Sequence, residues 1–97
     1  MPHLVITPAA ERGIARCQIF LRERDPGAAD RAAHVIEVAL TRLETFPASG
    51  RAYRNSRVLS EIVIRFGNSG YVALYRHVEA DDAVYILAFR HQREGRY

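Results

Sequence analysis

The chain has 97 residues and is predicted to form one domain spanning residues 1–97. Its single cysteine, Cys17, excludes an internal disulfide and favours a reducing, cytoplasmic location. No stretch approaches the roughly 20 apolar residues of a membrane span and the N-terminus lacks a basic signal-peptide start, so we expect neither a membrane protein nor a secreted one. The net charge of +3 arises in residues 51–97, where eight arginines outnumber five acids, which favours an acidic partner.

The first half of the chain predicts a strand followed by two helices. Residues 3–7, HLVIT, are short and β-branched, as strands are. Thr7 and Pro8 suit the N-cap and first position of a helix, and Asp25 and Pro26 suit those of a second helix. The first helix has an apolar stripe formed by Ala10, Ile14, Cys17, Phe20 and Leu21. The second has a stripe formed by Ala32, Val35, Ile36, Ala39, Leu40, Leu43 and Phe46. The link between them is short, so we expect antiparallel neighbours.

The second half of the chain predicts a loop and three strands. Residues 46–57 are a loop by composition, because Pro, Gly, Ser and Asn recur in them. Residues 58–66, 71–78 and 83–91 are β-rich and are joined by short polar turns, which is typical of an antiparallel meander. The order β-α-α-β-β-β therefore predicts an α+β fold, with an antiparallel helical hairpin packed on one face of a small, mainly antiparallel sheet.

Strict alternation would divide each of the last two strands between two faces of the sheet. One face of strand 71–78 would then carry Tyr71, Ala73, Tyr75 and His77. On strand 83–91 one face would carry Tyr85, Leu87, Phe89 and His91, and the other Val84, Ile86, Ala88 and Arg90. Both faces are half apolar, so we expect the face away from the helices to be covered as well.

The sequence contains no standard enzyme motif and no metal-ligand spacing, so neither a metal nor a cofactor is expected. Two groups of cations are candidate contacts. Arg76 lies in mid-strand among apolar residues, where it forms either a structural ion pair, with Glu61 as one possible partner, or a functional contact. The basic cluster near the C-terminus is either a frayed end or a contact surface. This cluster comprises Arg90, His91, Arg93 and Arg96.

Three segments follow one another along nearly the whole chain in a characteristic order. HLVITPAAERGIARCQIFL is a strand and a helix that begins after Thr-Pro. DPGAADRAAHVIEVALTRLETFPASGR is a second helix followed by a Phe-Pro-x-x-Gly-Arg loop. GYVALYRHVEADDAVYILAFRHQRE holds a Tyr-Arg strand and a last strand that ends in His-x-Arg. Together they resemble the RelE/ParE superfamily of toxins from type II toxin–antitoxin modules, of the plasmid stabilisation type.

The resemblance implies one of two toxic activities. RelE-like members are ribosome-dependent endoribonucleases that cleave mRNA, and ParE-like members inhibit DNA gyrase. Where the RelE pattern has arginines, this chain has Val72 and Gln92, which favours the ParE-like activity without catalytic residues. The alternatives are a ribonuclease that uses His91 as an acid or base, and a non-toxic member that only binds its antitoxin.

The resemblance also implies two partners, a cognate antitoxin and DNA gyrase, with direct nucleic-acid binding only through the antitoxin complex. We expect the antitoxin to carry a flexible, acidic C-terminal half that folds on binding. The residues expected to contact this antitoxin are Arg51, Arg54 and Arg57. The residues expected to contact the target are Tyr75, Arg76, Arg90, His91, Arg93 and Arg96.

Overall fold

The computed structural model describes all residues from 1 to 97 and confirms the predicted α+β architecture. The two helices are α1 (Pro8–Arg24) and α2 (Pro26–Thr41). The strands are β1 (His3–Ile6), β2 (Arg51–Ala52), β3 (Ser60–Phe66), β4 (Ser69–Val78) and β5 (Ala83–His91). They form one sheet in the order β1-β5-β4-β3-β2, in which β1 runs parallel to β5 and every other pair is antiparallel. None of the helices combines the length and apolar character that membrane crossing requires.

Both helices begin where the sequence predicts. The Thr7 hydroxyl accepts a hydrogen bond from the backbone N–H of Ala10 at 3.3 Å, and Pro8 occupies the first turn. Asp25 caps α2 in the same way, because its carboxylate accepts a hydrogen bond from the backbone N–H of Ala28 at 3.0 Å. Thr7 also donates a 2.6 Å hydrogen bond to the carbonyl of Ile86, so the start of α1 is fastened directly to β5.

The core lies between the helical hairpin and one face of the sheet. Its buried members from the helical half are Ala10, Cys17, Ala32, Ile36, Leu40 and Leu43. The predicted stripes are wrong at two aromatic residues, since Phe20 is 59% exposed and Phe46 is 55% exposed. Phe20 lies beside the stripe, since its neighbour Leu21 packs against the core, and Phe46 lies beyond the end of α2. We call the sheet face that the helices leave uncovered the open face.

Gly13 allows α1 to lie directly on β5. A glycine inside a helix costs about 1 kcal/mol relative to alanine, so its presence needs a reason. A Cβ atom at this position would lie 2.3 Å from the carbonyl oxygen of Phe89, far inside van der Waals contact. The missing side chain therefore sets how closely the first helix approaches the last strand.

A β-bulge in β5 makes the predicted strand faces wrong beyond its midpoint. Tyr75 pairs with Ile86, whereas Leu74 pairs with Ala88, so Leu87 is an extra residue without a partner. An extra residue reverses the alternation for the rest of a strand. Val84, Ile86, Phe89 and His91 consequently lie on the helix side of the sheet, and Tyr85, Ala88 and Arg90 lie on the open face. Arg90 and His91, predicted as one cluster, point to opposite sides, as neighbours along a strand do.

The segment predicted as a loop, residues 46–57, contains the short edge strand β2. Arg51 pairs with Glu61, and Ala52 pairs with Ser60. This pairing brings basic residues of the loop to the edge of the open face. Two residues cannot show the period-two pattern from which a strand is recognised, so β2 was not predictable from composition.

Candidate functional site

The residues after β5 form a strap that folds back across the open face, which we call the C-terminal strap (residues 92–97). Arg90 organises it, because Nη1 donates hydrogen bonds to the carbonyls of His91, Gln92 and Glu94. The guanidinium of Arg90 also lies over the ring of Tyr97, 5.0 Å from its centroid. The end of the chain is thus fixed by specific contacts rather than frayed.

Tyr97 fixes the far end of the strap to β3. Its hydroxyl donates a 2.7 Å hydrogen bond to Oε2 of Glu61, a carboxylate that is itself buried. Burial and this hydrogen bond raise the pKa of the Tyr97 hydroxyl well above its usual value. The phenol therefore keeps its proton throughout the physiological range, and the tether stays intact.

Glu94 fixes the near end of the strap to the helix side. Its carboxylate accepts hydrogen bonds from Arg16 at 3.0 Å and from the backbone N–H of His91 at 3.0 Å. Burial opposes ionisation of Glu94, but the donors at His91 and Arg16 outweigh it and lower the pKa of the carboxyl. Burial and the neighbouring Glu94 carboxylate raise the pKa of the Cys17 thiol to about 11, so this cysteine is a poor nucleophile at neutral pH.

Between β2, β3 and the strap lies a basic cavity of about 290 Å³, which we call the arginine pocket. Its lining consists of Arg51, Ala52, Tyr53, Arg54, Glu61, Arg90, Gly95, Arg96 and Tyr97. Four of these residues are cations and one, Glu61, is an acid. The sole internal ion pair is between Arg51 and Glu61, at 3.4 Å. The pocket therefore carries unbalanced positive charge.

Two tyrosines form one wall of the arginine pocket. Tyr53 and Tyr97 meet edge to face, with 6.1 Å between ring centroids. Arg54 lies over the ring of Tyr53 at 5.2 Å, as Arg90 does over Tyr97. Each guanidinium is thereby held by the face of an aromatic ring. Arg90 uses Nη1 for the carbonyls of the strap, whereas Arg54 forms no ion pair and can offer its N–H groups to an anion.

On the helix side, a second cavity of about 600 Å³ opens between α1, the β3–β4 turn and the start of the strap; we call it the aromatic groove. Its lining consists of Arg16, Cys17, Phe20, Leu21, Phe66, Gly67, Ser69, Gly70, Tyr71, His91, Arg93 and Glu94. His91 is fixed within it: Nε2 lies 3.1 Å from the Ser69 hydroxyl, and Nδ1 accepts a hydrogen bond from the N–H of Arg93 at 3.0 Å.

The comparisons with known proteins identify the family. A family model described as the ParE toxin of the type II toxin–antitoxin system parDE matches residues 4–95. This chain belongs to that toxin family. It is 35% identical over 96 residues to a protein named Toxin RelE3 from Caulobacter vibrioides, covering 99% of this chain and all of that protein. It is 38% identical over 73 residues to Toxin RelE1 of the same species, covering 75% of this chain and 76% of that protein.

Within this ParE toxin fold, the structure regroups the cations predicted from the sequence. Arg51 and Arg54, expected for the antitoxin, and Arg90 and Arg96, expected for the target, all line the arginine pocket. Arg57 is exposed and lies outside that lining. The pairing of β2 with β3 and the fold-back of the strap bring these residues together, and neither was visible in the sequence.

The other predicted target contacts are separate from this pocket. His91 and Arg93 line the aromatic groove. Tyr75 is 1% exposed and uses its hydroxyl internally, donating to the carbonyl of Pro47 at 2.7 Å and accepting from the N–H of Gly50 at 2.9 Å. Tyr75 therefore supports the loop from inside the fold and is not a surface residue of this ParE family member.

Of the two alternatives left open for Arg76, the structure does not show the ion pair with Glu61. Arg76 is exposed and has no acidic partner. Its strand partner is Tyr85, five positions along β4 from the Tyr71–His91 pair at the start of the strap. Glu61 instead contacts Tyr97 and Arg51, because the strap and β2 lie beside it. Sequence reasoning missed Tyr53, Glu61 and Tyr97 as lining residues, since their meeting depends on long-range pairing.

Proposed function

We propose that this toxin acts in the ParE manner, by binding DNA gyrase in the cytoplasm and blocking its cycle until a cognate antitoxin neutralises it. The observation that carries this proposal is the separation of His91 from the arginine pocket. His91 lies on the helix side of the sheet, where Arg16 is paired with Glu94 and Arg93 is the one other cation of the groove, whereas four arginines gather on the open face. Cleavage of RNA requires an acid or base beside the cations that hold the phosphate, so this separation supports binding over catalysis.

The titratable groups inside the arginine pocket also support a binding role. Glu61 is engaged by Arg51 and by the hydroxyl of Tyr97. The raised pKa of Tyr97 disfavours the phenolate that a base would need. Val72, where the ribonuclease pattern has an arginine, is 3% exposed and shares the open face with its strand partner Arg90. An arginine there would have to be buried without a partner, which is costly.

The groove-side residues His91 and Arg93 are the proposed gyrase contacts that lie nearest to exposed apolar surface. Phe20, 59% exposed, lines the same aromatic groove. An interface core typically combines an aromatic anchor with arginine at its edge. Arg76, at the other end of β4, is proposed as a secondary contact at most.

A ribosome-dependent ribonuclease is the second candidate, and two observations favour it. Two relatives of this chain carry the name RelE. The arginine pocket also combines four arginines with two tyrosine hydroxyls on the open face. A member that binds only its antitoxin is the third candidate.

A supercoiling assay with purified gyrase tests the proposal. We expect the purified chain to inhibit supercoiling of relaxed plasmid, and Arg93→Ala to inhibit at least about tenfold less, since an interface arginine contributes on that order. Arg12→Ala, an exposed change on α1 outside both cavities, serves as the control for a lost charge. Full gyrase activity with the wild-type chain, together with mRNA cleavage on purified ribosomes, would replace this proposal with the ribonuclease.

A further inference from the structure

The aromatic groove is a preformed cavity whose floor is built from packed rings. Tyr71 is 3% exposed and stacks on Phe89, with 5.3 Å between ring centroids. Phe66 and the imidazole of His91 lie against the same tyrosine, with centroids at 6.4 and 5.5 Å. Rings that pack on one another in this way hold the floor in place, so the cavity of about 600 Å³ is ready to receive a large apolar side chain.

The rim of the groove adds exposed apolar surface to this floor. Phe20 is 59% exposed, and its neighbour Ile19 is 61% exposed. The guanidinium of Arg24 lies over the Phe20 ring, 3.7 Å from its centroid, and donates a hydrogen bond to the Phe20 carbonyl at 3.1 Å. The ring is therefore held in position beside an apolar floor, an arrangement typical of a protein-binding surface.

The charge at the rim limits what can occupy the groove. Arg93 lines the groove, is exposed and forms no ion pair. Glu94 is the one acid of the lining, and its carboxylate is already engaged by Arg16 and by the N–H of His91. Arg24, beside the groove, has no acidic partner either. The complement of this surface is an apolar side chain with an acid close to it.

We propose that the aromatic groove receives an apolar anchor of gyrase, presented by an amphipathic segment whose acidic residue pairs with Arg93; this inference rests on the proposed function. A helix fits a groove of this kind by laying its apolar face into it. An acid three or four positions from the anchor lies on the same side of such a helix and reaches the rim. Arg51 and Arg54, which were expected to contact the antitoxin, lie on the open face, across the sheet from this groove.

Two other occupants fit the groove less well. In a symmetric dimer the rim would meet a second copy of itself, which brings the unpaired arginines together. A single-stranded nucleic acid needs open aromatic faces on which to stack its bases. Tyr71 is already stacked on Phe89, and the Phe20 ring is covered on one face by a guanidinium. A protein segment that carries its own acids is the occupant that both the floor and the rim favour.

Surface plasmon resonance with purified gyrase and the full chain tests the inference through matched variants. Phe20→Ala should weaken binding at least about tenfold, as the loss of an interface aromatic does. Phe46→Ala removes another exposed phenylalanine, outside both cavities, and should bind as the wild type does. Arg93→Glu should weaken binding more than Arg93→Ala, because it sets two acids against each other. Arg12→Glu should leave binding unchanged.

Photocrosslinking gives a second readout that does not depend on lost affinity. Benzoylphenylalanine in place of Phe20 should crosslink to a gyrase segment that contains apolar and acidic residues, and the same group in place of Phe46 should not. Binding to gyrase that Phe20→Ala and Arg93→Glu leave unchanged would overturn the inference alone. A wild-type chain that does not bind gyrase would refute the proposed function as well.

The other occupants are separate outcomes of the same variants. Copurification of the antitoxin that Phe20→Ala weakens as much as gyrase binding would assign the groove to the antitoxin and overturn the inference. A dimer in sedimentation velocity that Phe20→Ala dissociates would assign it to a second copy, with the same consequence. An unchanged antitoxin complex and a monomeric free chain are the results that we expect.

Discussion

The hydroxyl of Tyr97 donates a hydrogen bond to Oε2 of Glu61 at 2.7 Å, joining residues that are 36 positions apart in the chain. This contact closes the C-terminal strap over the open face and completes the wall of the arginine pocket. It also gives a buried carboxylate a second partner besides Arg51. The strap is therefore part of the folded domain, and its contacts can be tested by single substitutions.

Tyr97→Phe removes that hydrogen bond and keeps the ring. We expect a loss of about 1 kcal/mol in the free energy of unfolding, because Glu61 loses a neutral donor and keeps only a long ion pair. Urea denaturation measures the change. Tyr85→Phe is the control, since the Tyr85 hydroxyl bonds an exposed Asp81, and it should unfold at the wild-type midpoint. Equal midpoints for all three proteins would show that the strap is not closed in solution.

Gly13→Ala tests the close approach of α1 to β5. Alanine favours a helix, yet the new Cβ would meet the carbonyl oxygen of Phe89 at 2.3 Å and push the helix away from the sheet. We expect a net destabilisation of about 1–3 kcal/mol, in the range found for overpacked cores. Thermal unfolding measures it.

Gly27→Ala is the matched control for this change. The nearest atoms to its added Cβ are side-chain atoms of Arg31 and Asp25 at 3.4 and 3.5 Å, so the first turn of α2 accommodates it. We expect this variant to be as stable as the wild type or more so. A stabilised Gly13→Ala would mean that α1 lies farther from β5 than described.

The lowered pKa of the Glu94 carboxyl predicts a loss of folding stability in acid. Its folded pKa lies below the ordinary value of 4.5, so its contribution is fully present above pH 4.5 and is lost as the pH falls through the folded value. We expect Glu94→Gln to be less stable than the wild type at pH 7, with the difference shrinking as the pH falls below 4.5 and through the lowered folded pKa. Urea denaturation across this range measures both proteins. A difference that is constant with pH would assign the effect to packing instead.

The local signals in the sequence predicted most of the fold. Thr7 and Asp25 cap helices through contacts within three residues, and such contacts are encoded where they occur. The antiparallel meander followed from turns and β-rich runs in the same way. The β5 bulge was not predictable, because nothing in YILAF marks Leu87 as the extra residue. Its consequence is large, since it moves Phe89 and His91 to the helix side and Arg90 to the open face.

The candidate site was predictable only as a set of charges. The basic loop and the basic end of the chain stood out, but their meeting depends on the pairing of β2 with β3 and on the tether from Tyr97 to Glu61. Both are long-range contacts without a local pattern. Arg76 was taken to be buried, but it is exposed. The burial of a strand residue depends on what covers that face of the sheet, and the alternation of side chains does not show this.

Arg93→Ala separates target binding from antitoxin binding. Arg93 lines the aromatic groove and is absent from the arginine pocket. We expect this variant to lose toxicity on induction and still to copurify with the antitoxin, at a stability cost within about 0.5 kcal/mol because the side chain is exposed. Arg12→Ala should remain fully toxic. A fully toxic Arg93→Ala would remove the groove side of the strap from the target surface.

Pulse labelling of DNA and protein synthesis after induction without antitoxin tests the central claim most directly. If the toxin inhibits gyrase, incorporation of thymidine stops first, cells filament and the DNA-damage response is induced, while incorporation of methionine continues. This is the order we predict, because His91 and the arginine pocket lie on opposite faces of the sheet. Collapse of methionine incorporation within minutes, with replication spared and mRNAs cleaved within codons, would contradict the account.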